Sequence, residues 1–384
     1  MASHATPSIA EVDLLEATAE LLRVPSVSFD EAALADLIED KLRRVDMLAV
    51  DRVGNNVVAR TQLGKGARLL LAGHLDTVPP HPEQVVRVEG ETLWGLGASD
   101  MKSGLAVMVA LAQQVREPAV DLTWVFYVAE EVAAQHSGLL QLKSERPELL
   151  EADAAILGEP TGARLEAGCQ GTLRVRVTFA GRRAHSARSW LGVNAIHHAA
   201  AAVERVARVP AREVTIDGCT YREGLQAVRI EGGVANNVIP DRAAVLFNFR
   251  FAPDRSPAQA LTFVDGVLDD AAGLVEIVVE DSSPGCMPGL GHPLLGSLRE
   301  HSGHSPRAKF GWTDVARFAE WGVPAANFGP GDPELAHTAD ERVVRSDLDA
   351  ALACLWAVVH DERAAHAAAL AKVASPELTR RSDL

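Results

Sequence analysis

Cysteine is scarce in this chain. Its four residues, Cys169, Cys219, Cys286 and Cys354, stand far apart and form no CxxC pair. That removes both a disulfide framework and a thiolate zinc site. No apolar run approaches a membrane span; the longest, near residues 105–112, is far short of the roughly 20 residues needed. Residues 1–10 lack a basic start followed by an apolar stretch, so no signal peptide is expected, and a reducing cytoplasm is the expected location. Positive charge is outnumbered, 37 Lys and Arg against 52 Asp and Glu, for a net charge of -15. A broad basic surface for nucleic acid is thereby excluded, although local arginines can still serve an anionic substrate. No GxSxG follows a strand-like run, which argues against a serine hydrolase, and no internal repeat occurs.

What is present is ordinary globular chemistry on a long chain. With 384 residues, 47% of them hydrophobic, two domains are expected rather than one small core. From Asn56 onward, apolar strand-like runs alternate with helical patterns. Residues 68–72, 122–129 and 154–157 read as buried strands, and 103–115 as a helix. This alternation implies a mostly parallel sheet with helices on both faces, whose site collects at the carboxyl ends of the strands. Near Gly171 the pattern changes. Leu173, Val175, Val177 and Phe179 alternate with polar residues, as in a strand with one dry face. A helix over 194–209 follows, then strands 225–230 and 243–251. Ser256-Pro257-Ala258-Gln259 then opens a capped helix, and strand 275–280 comes last. The order β-α-β-β-α-β suggests a ferredoxin-like module. The domains expected are therefore 1–170 (first catalytic part), 171–283 (inserted module) and 284–384 (second catalytic part). The polar tail 375–384 is expected to fray.

Five segments carry chemistry. In Gly73-His74-Leu75-Asp76, His74 suits a metal and Asp76 suits the task of fixing its imidazole; a solvated His before a turn-forming Asp is the plain alternative. In Gly95-Leu96-Gly97-Ala98-Ser99-Asp100, small residues let backbone approach an aspartate that could bridge two ions, or Ser99 or Asp100 could simply cap the next helix. Glu130 and Glu131 follow an apolar strand. Two adjacent carboxylates there are unfavourable unless something positive lies between them, and the chain must turn for both to be used. Glu131 is assigned to metal and Glu130 to general base and acid; a solvated loop is the alternative. Glu159, before Pro160, suits a terminal ligand or an ordinary turn. The ordered loop 327–331 leads to His337, one of 13 histidines. Each segment alone is ambiguous, and their joint order carries the specificity. Two divalent ions held by imidazoles and carboxylates are hydrolytic equipment.

That series resembles the two-zinc amidohydrolase family of aminoacylases, acetylornithine deacetylases, glutamate-releasing carboxypeptidases and succinyl-diaminopimelate desuccinylases. The likeness covers nearly the whole chain. Residues 310–318, 327–333 and 336–337 look like the actinobacterial branch of the desuccinylases. The resemblance implies a zinc-peptidase-type α/β catalytic domain with an inserted ferredoxin-like α+β dimerisation (lid) domain. It implies two Zn(2+) per subunit, with Co(2+) or Mn(2+) as substitutes. His74, Asp100 and Glu159 would hold one ion, and Asp100, Glu131 and His337 the other. Asp76 would orient His74, Glu130 would be the acid/base, and the Asp100–Met101 peptide would be cis. His185 would reach the partner subunit's site in a homodimer and stabilise the oxyanion. Asn236, Asn237, Arg250 and Thr313 would contact substrate; Arg182, Arg183 and Arg188 are either further local positive charge for its carboxylates or solvated surface of the module. The activity implied is hydrolysis of N-succinyl-L,L-2,6-diaminopimelate, with acetylornithine deacetylase, another N-acyl amino acid hydrolase, or a non-catalytic metal-binding relative as the alternatives. Two departures concern the substrate pocket: Phe310-Gly311-Trp312-Thr313-Asp314 stands where many desuccinylases carry Gly-Gly-Thr-Ser-Asp, and Val132-Ala133 stands where relatives often have Gly.

Overall fold

The computed structural model describes residues 12–82 and 84–374. The stretch read for a leader, 1–10, and the tail 375–384 lie outside them. The chain divides into two compact units. One holds the residues up to Ala167, Gly289–Arg307 and everything from Arg317 onward; the other holds Gly168–Pro288 and Ala308–Ala316. Residues 308–316, expected with the catalytic part, thus fall with the inserted unit.

In the first unit, strands of a large sheet lie in the order Ala49–Val53, Asn56–Arg60, Asp121–Tyr127, Arg68–His74, Ala154–Leu157, Ala325–Asn327 and Glu166–Ala167. Arg68–His74 is parallel to both neighbours, with His74 opposite Tyr127 and Ala72 opposite Leu157. Strands buried on both faces read as continuous apolar runs, and Asp121–Tyr127 and Ala154–Leu157 are buried throughout. Parallel pairing sends three chain ends out of the same edge of the sheet. His74 ends one strand, Glu130 and Glu131 follow the second, and Glu159 follows the third.

The helix expected at 103–115 is Lys102–Gln114, buried from Lys102 to Ala112. It brings Asp100, just before its start, to the sheet. A separate antiparallel sheet of Arg87–Glu89, Thr92–Trp94 and Arg342–Val344 joins the segment before Asp100 to the segment after His337. Helices Leu14–Leu22, Ala32–Arg43, Arg345–Val359 and Glu362–Ala374 were not read from the sequence pattern. No helix among the described residues is long and apolar enough to cross a membrane.

The second unit carries an antiparallel sheet in the order Gly224–Gly232, Arg242–Phe251, Gly171–Ala180, Leu274–Ser283. Helices Ala195–Ala207 and Pro257–Leu268 supply its remaining elements, giving the β-α-β-β-α-β order. The dry face is the one the alternation indicated: Leu173, Val175, Val177 and Phe179 are buried with Val245, Phe247, Phe249, Ala199 and Val264. The Ser256–Gln259 capping box forms in both directions. A hairpin, Glu213–Ile216 with Cys219–Arg222, was missed. Its signal was present: Asp217 and Gly218 both have positive φ, the two-residue turn that an Asp-Gly pair favours.

Candidate dinuclear metal site

His74 is buried at its strand end, 1% exposed. Its Nδ1 lies 2.9 Å from the main-chain oxygen of Asp76 and 3.5 Å from the Asp76 carboxylate. A carbonyl oxygen can only accept, so Nδ1 carries the proton and Nε2 is free to act as a donor to a metal. Nε2 lies 3.0 Å from Asp100 Oδ1. The other Asp100 oxygen, Oδ2, lies 3.4 Å from His337 Nε2, which is 2.7 Å from Glu131 Oε1. Asp100 therefore stands between two imidazoles, one oxygen toward each. Ligand atoms of His74, Asp100 and Glu131 all lie within 4.8 Å of one another. Glu159, 5% exposed, stands two residues beyond the adjacent strand Ala154–Leu157. The Asp100–Met101 peptide is cis.

Beside facing His74, the Asp76 carboxylate has further partners. Oδ1 accepts the Glu130 N–H at 3.0 Å, and Oδ2 accepts the Glu131 N–H at 3.1 Å and the Ser28 hydroxyl at 2.7 Å. Its main chain sets the His74 tautomer, while its carboxylate holds the turn that presents both glutamates. That turn begins at Ala129, whose φ is 59°. Ser28 drew no notice in the sequence because nothing local ties it to a residue 48 positions away.

The electrostatics describe a cage built for positive charge. Burial pushes the His74 imidazole down, but the Asp100 and Asp76 carboxylates outweigh it and hold the ring well above the ordinary histidine value. His337 is raised to about 10, by Asp100 and then Glu131, against its burial. Asp100 is pushed up by burial yet held far below the usual carboxylate range by His337 and His74. Asp76 falls to about 2, burial again being outweighed by His74 and by the Glu130 N–H. Imidazoles driven toward the cationic form by surrounding carboxylates mark a place where divalent ions fit. The donor set is nitrogen and oxygen without thiolate, which suits zinc, cobalt or manganese.

One residue at this site was invisible in the sequence. Glu341 is 1% exposed. Its carboxylate accepts the backbone N–H groups of Gly97 at 3.1 Å, Ser99 at 2.9 Å and Asp100 at 2.9 Å. Burial raises it to about 7 in spite of those three donors.

The remaining expected residues belong to the second unit. His185 and Asn237 are neighbours there: His185 pairs with Val238, and the Ser186 N–H donates to the Asn237 oxygen at 2.8 Å. His185 Nδ1 accepts the Ala187 N–H at 3.1 Å. His185, Asn236 and Asn237 are exposed. Arg250, on strand Arg242–Phe251, is partly buried, and burial lowers it, with Arg174 adding to the effect. Thr313 is buried at 5% exposure within residues 308–316. Arg182, Arg183 and Arg188 are exposed, and Arg183 pairs with Asp241 at 2.8 Å.

Fold and site together define a two-unit α/β scaffold with a His–carboxylate cluster at the carboxyl edge of its sheet. The family model "Peptidase family M20/M25/M40" matches residues 70–361, so the chain belongs to that family. It is 54% identical over 342 residues to a Mycobacterium tuberculosis protein provisionally named succinyl-diaminopimelate desuccinylase DapE, covering 88% of this chain and 96% of that one. It is 49% identical over 337 residues to the succinyl-diaminopimelate desuccinylase of Corynebacterium glutamicum, covering 86% and 91%. Among solved structures, a Staphylococcus aureus tripeptidase superposes with a TM-score of 0.76 at 22% identity, covering 94% of this chain and 100% of that one, which establishes the shared fold.

Proposed function

We propose that this chain is a dinuclear metal amidohydrolase that cleaves N-succinyl-L,L-2,6-diaminopimelate to succinate and L,L-diaminopimelate, a step toward lysine and meso-diaminopimelate. The observation that carries the chemistry is Asp100, whose two oxygens face two separate imidazoles, His74 and His337. The names of the relatives at 54% and 49% identity support the substrate. His74, Asp100 and Glu159 would hold one zinc ion, and Asp100, Glu131 and His337 the other. Bound there, the ions supply Lewis acidity, making water acidic enough to ionise near neutral pH and polarising the amide carbonyl.

The chain's own groups do the rest. Glu130 takes the proton of the attacking water and returns it to the leaving amine. Asp76 keeps Glu130 and Glu131 in register through their amides. His185, exposed on the inserted unit, donates to the developing oxyanion of a partner subunit's site. Asn236, Asn237, Arg250 and Thr313 engage the substrate's carboxylates, arginine suiting a bidentate grip. The homodimer forms through the inserted unit, whose edge strand Gly224–Gly232 exposes Val228 and Ile230, each 54% exposed. The enzyme works in the cytoplasm, where its four buried cysteines, none of them in a disulfide, stay reduced.

The test is a comparison of N-succinyl-diaminopimelate with N-acetylornithine on zinc-loaded protein. The succinyl substrate is expected to lead in kcat/KM by more than ~100-fold. Preference for acetylornithine would move the assignment to a deacetylase, and turnover of neither by metal-loaded protein would leave a metal-binding relative without this activity.

A further inference from the structure

We propose that Glu341 is a positioning residue that fixes the Asp100 carboxylate between the two ions. The inference rests on the dinuclear reading above and adds a residue to it. Asp100 belongs to a loop of small residues with two backbone hydrogen bonds of its own, from the Ala98 N–H to the Gly95 carbonyl at 3.1 Å and from the Lys102 N–H to the Gly97 carbonyl at 2.9 Å, neither of which engages the Ser99 or Asp100 N–H. Fixation comes from 241 to 244 residues away in sequence. One Glu341 oxygen takes the N–H groups of Ser99 and Asp100 together, and the other takes that of Gly97. Convergent N–H groups of this kind form an anion nest, and a carboxylate fills it with charge-assisted bonds.

The main chain repeats the attachment. The Gly95 N–H donates to the Glu341 carbonyl at 3.0 Å, and the Ser99 hydroxyl donates to the Arg342 carbonyl at 2.8 Å. The same hydroxyl accepts the Asp332 N–H at 3.1 Å. The Glu341 N–H in turn donates to the Thr338 carbonyl at 3.3 Å, one residue past His337. Glu341 therefore connects the loop that carries Asp100 to the loop that carries His337. A dinuclear site tolerates little error in the shared ligand, since metal–ligand distances hold to within about 0.2 Å. Lys102, buried at 2% exposure, feels the Glu341 charge, and its Nζ is held by the Val24 carbonyl at 2.7 Å.

Two variants test this, Glu341→Gln and Glu341→Ala, prepared metal-free and titrated with Zn2+ and with Co2+ beside the wild type. The glutamine keeps one oxygen for the nest and sets an N–H2 against the remaining donor. Metal affinity is expected to fall about 10-fold in Glu341→Gln and about 100-fold in Glu341→Ala. Activity should return as free zinc is raised, with KM for the amide unchanged. Hydrogen exchange at Gly97, Ser99 and Asp100 should accelerate in the metal-free variants. If Glu341→Ala does not fold, the isosteric glutamine variant still decides. A wild type that binds two ions, with Glu341→Gln at the same affinity and the same Co2+ absorption, would overturn the proposal. A wild type that binds no ion would instead overturn the dinuclear reading on which it stands.

Discussion

Replacing Asp76 with asparagine isolates the part of the site that holds the two glutamates. The wild-type carboxylate accepts from Ser28, Glu130 and Glu131, at 2.7, 3.0 and 3.1 Å, with no exposure to water. An asparagine offers one oxygen. If that oxygen takes the place facing Ser28 and Glu131, the new N–H2 confronts the Glu130 N–H, donor against donor. One charge-assisted hydrogen bond is lost, at about 1.5–3 kcal/mol, and one buried N–H is left unsatisfied, at about 1–3 kcal/mol. Asp76→Asn should therefore destabilise the metal-free protein by about 2.5–6 kcal/mol. Urea unfolding of metal-free wild type and variant, with m held common, measures the difference. Since the Glu131 amide is released, zinc affinity should also drop by about 10- to 100-fold. A variant with the wild-type urea midpoint and full zinc binding would refute the reasoning, because the three hydrogen bonds would then carry nothing.

Three further outcomes are expected. Glu130→Gln should lower kcat by roughly 10²- to 10⁴-fold while zinc content stays at the wild-type level, and near-normal turnover would remove Glu130 from the reaction. Gly104→Ala should destabilise by about 1–3 kcal/mol in a thermal or urea melt, because a Cβ there would overlap the Gly158 carbonyl oxygen, which is backbone and cannot step aside. Asp121 is pushed up by burial but held below its ordinary value by the Leu63 and Lys65 N–H groups and the Thr61 hydroxyl. Its stabilisation is present above the unfolded carboxylate value of about 3.9 and disappears as pH falls through the lower folded-state value. Asp121→Asn should accordingly be less stable than wild type near neutrality and show a shallower loss on acidification, and parallel stability curves below pH 5 would contradict this.

Much of the fold was legible because its signals are local. Apolar runs that end in His74, Glu130–Glu131 and Glu159 mark strands whose parallel pairing is implied by the helices between them. The dry face of Gly171–Ala180 follows from period-two alternation, and the cap at Ser256 from a four-residue pattern. The parts that escaped are of two kinds. The hairpin at Glu213–Arg222 had a usable Asp217-Gly218 signal that strand reading passed over. Glu341 and Ser28 had none: each acts by a hydrogen bond to a residue far away in the chain, and no periodicity or spacing encodes such a partner. Asp76 lies between these cases. Its closeness to His74 was readable, but the main-chain role of its carbonyl and the additional partners of its carboxylate were not. Residues 308–316 crossed to the other unit for a similar reason: Gln170 donates to the Lys309 carbonyl at 3.2 Å, and Trp312 Nε1 to the Pro284 carbonyl at 3.2 Å.

The order of the proposed ligands along the chain bears on how the enzyme is born. Four of them, from His74 to Glu159, leave the ribosome early, whereas His337 and its companion Glu341 follow only after about 180 more residues. At ~5–20 residues per second, roughly 10–35 s of synthesis separate the two events. Throughout that interval His74, Asp100, Glu131 and Glu159 exist without His337, and the Gly97–Asp100 amides without the Glu341 carboxylate that receives them. Maturation to a working hydrolase is thus timed by translation of the inserted unit, which delays activity until the whole polypeptide has been made.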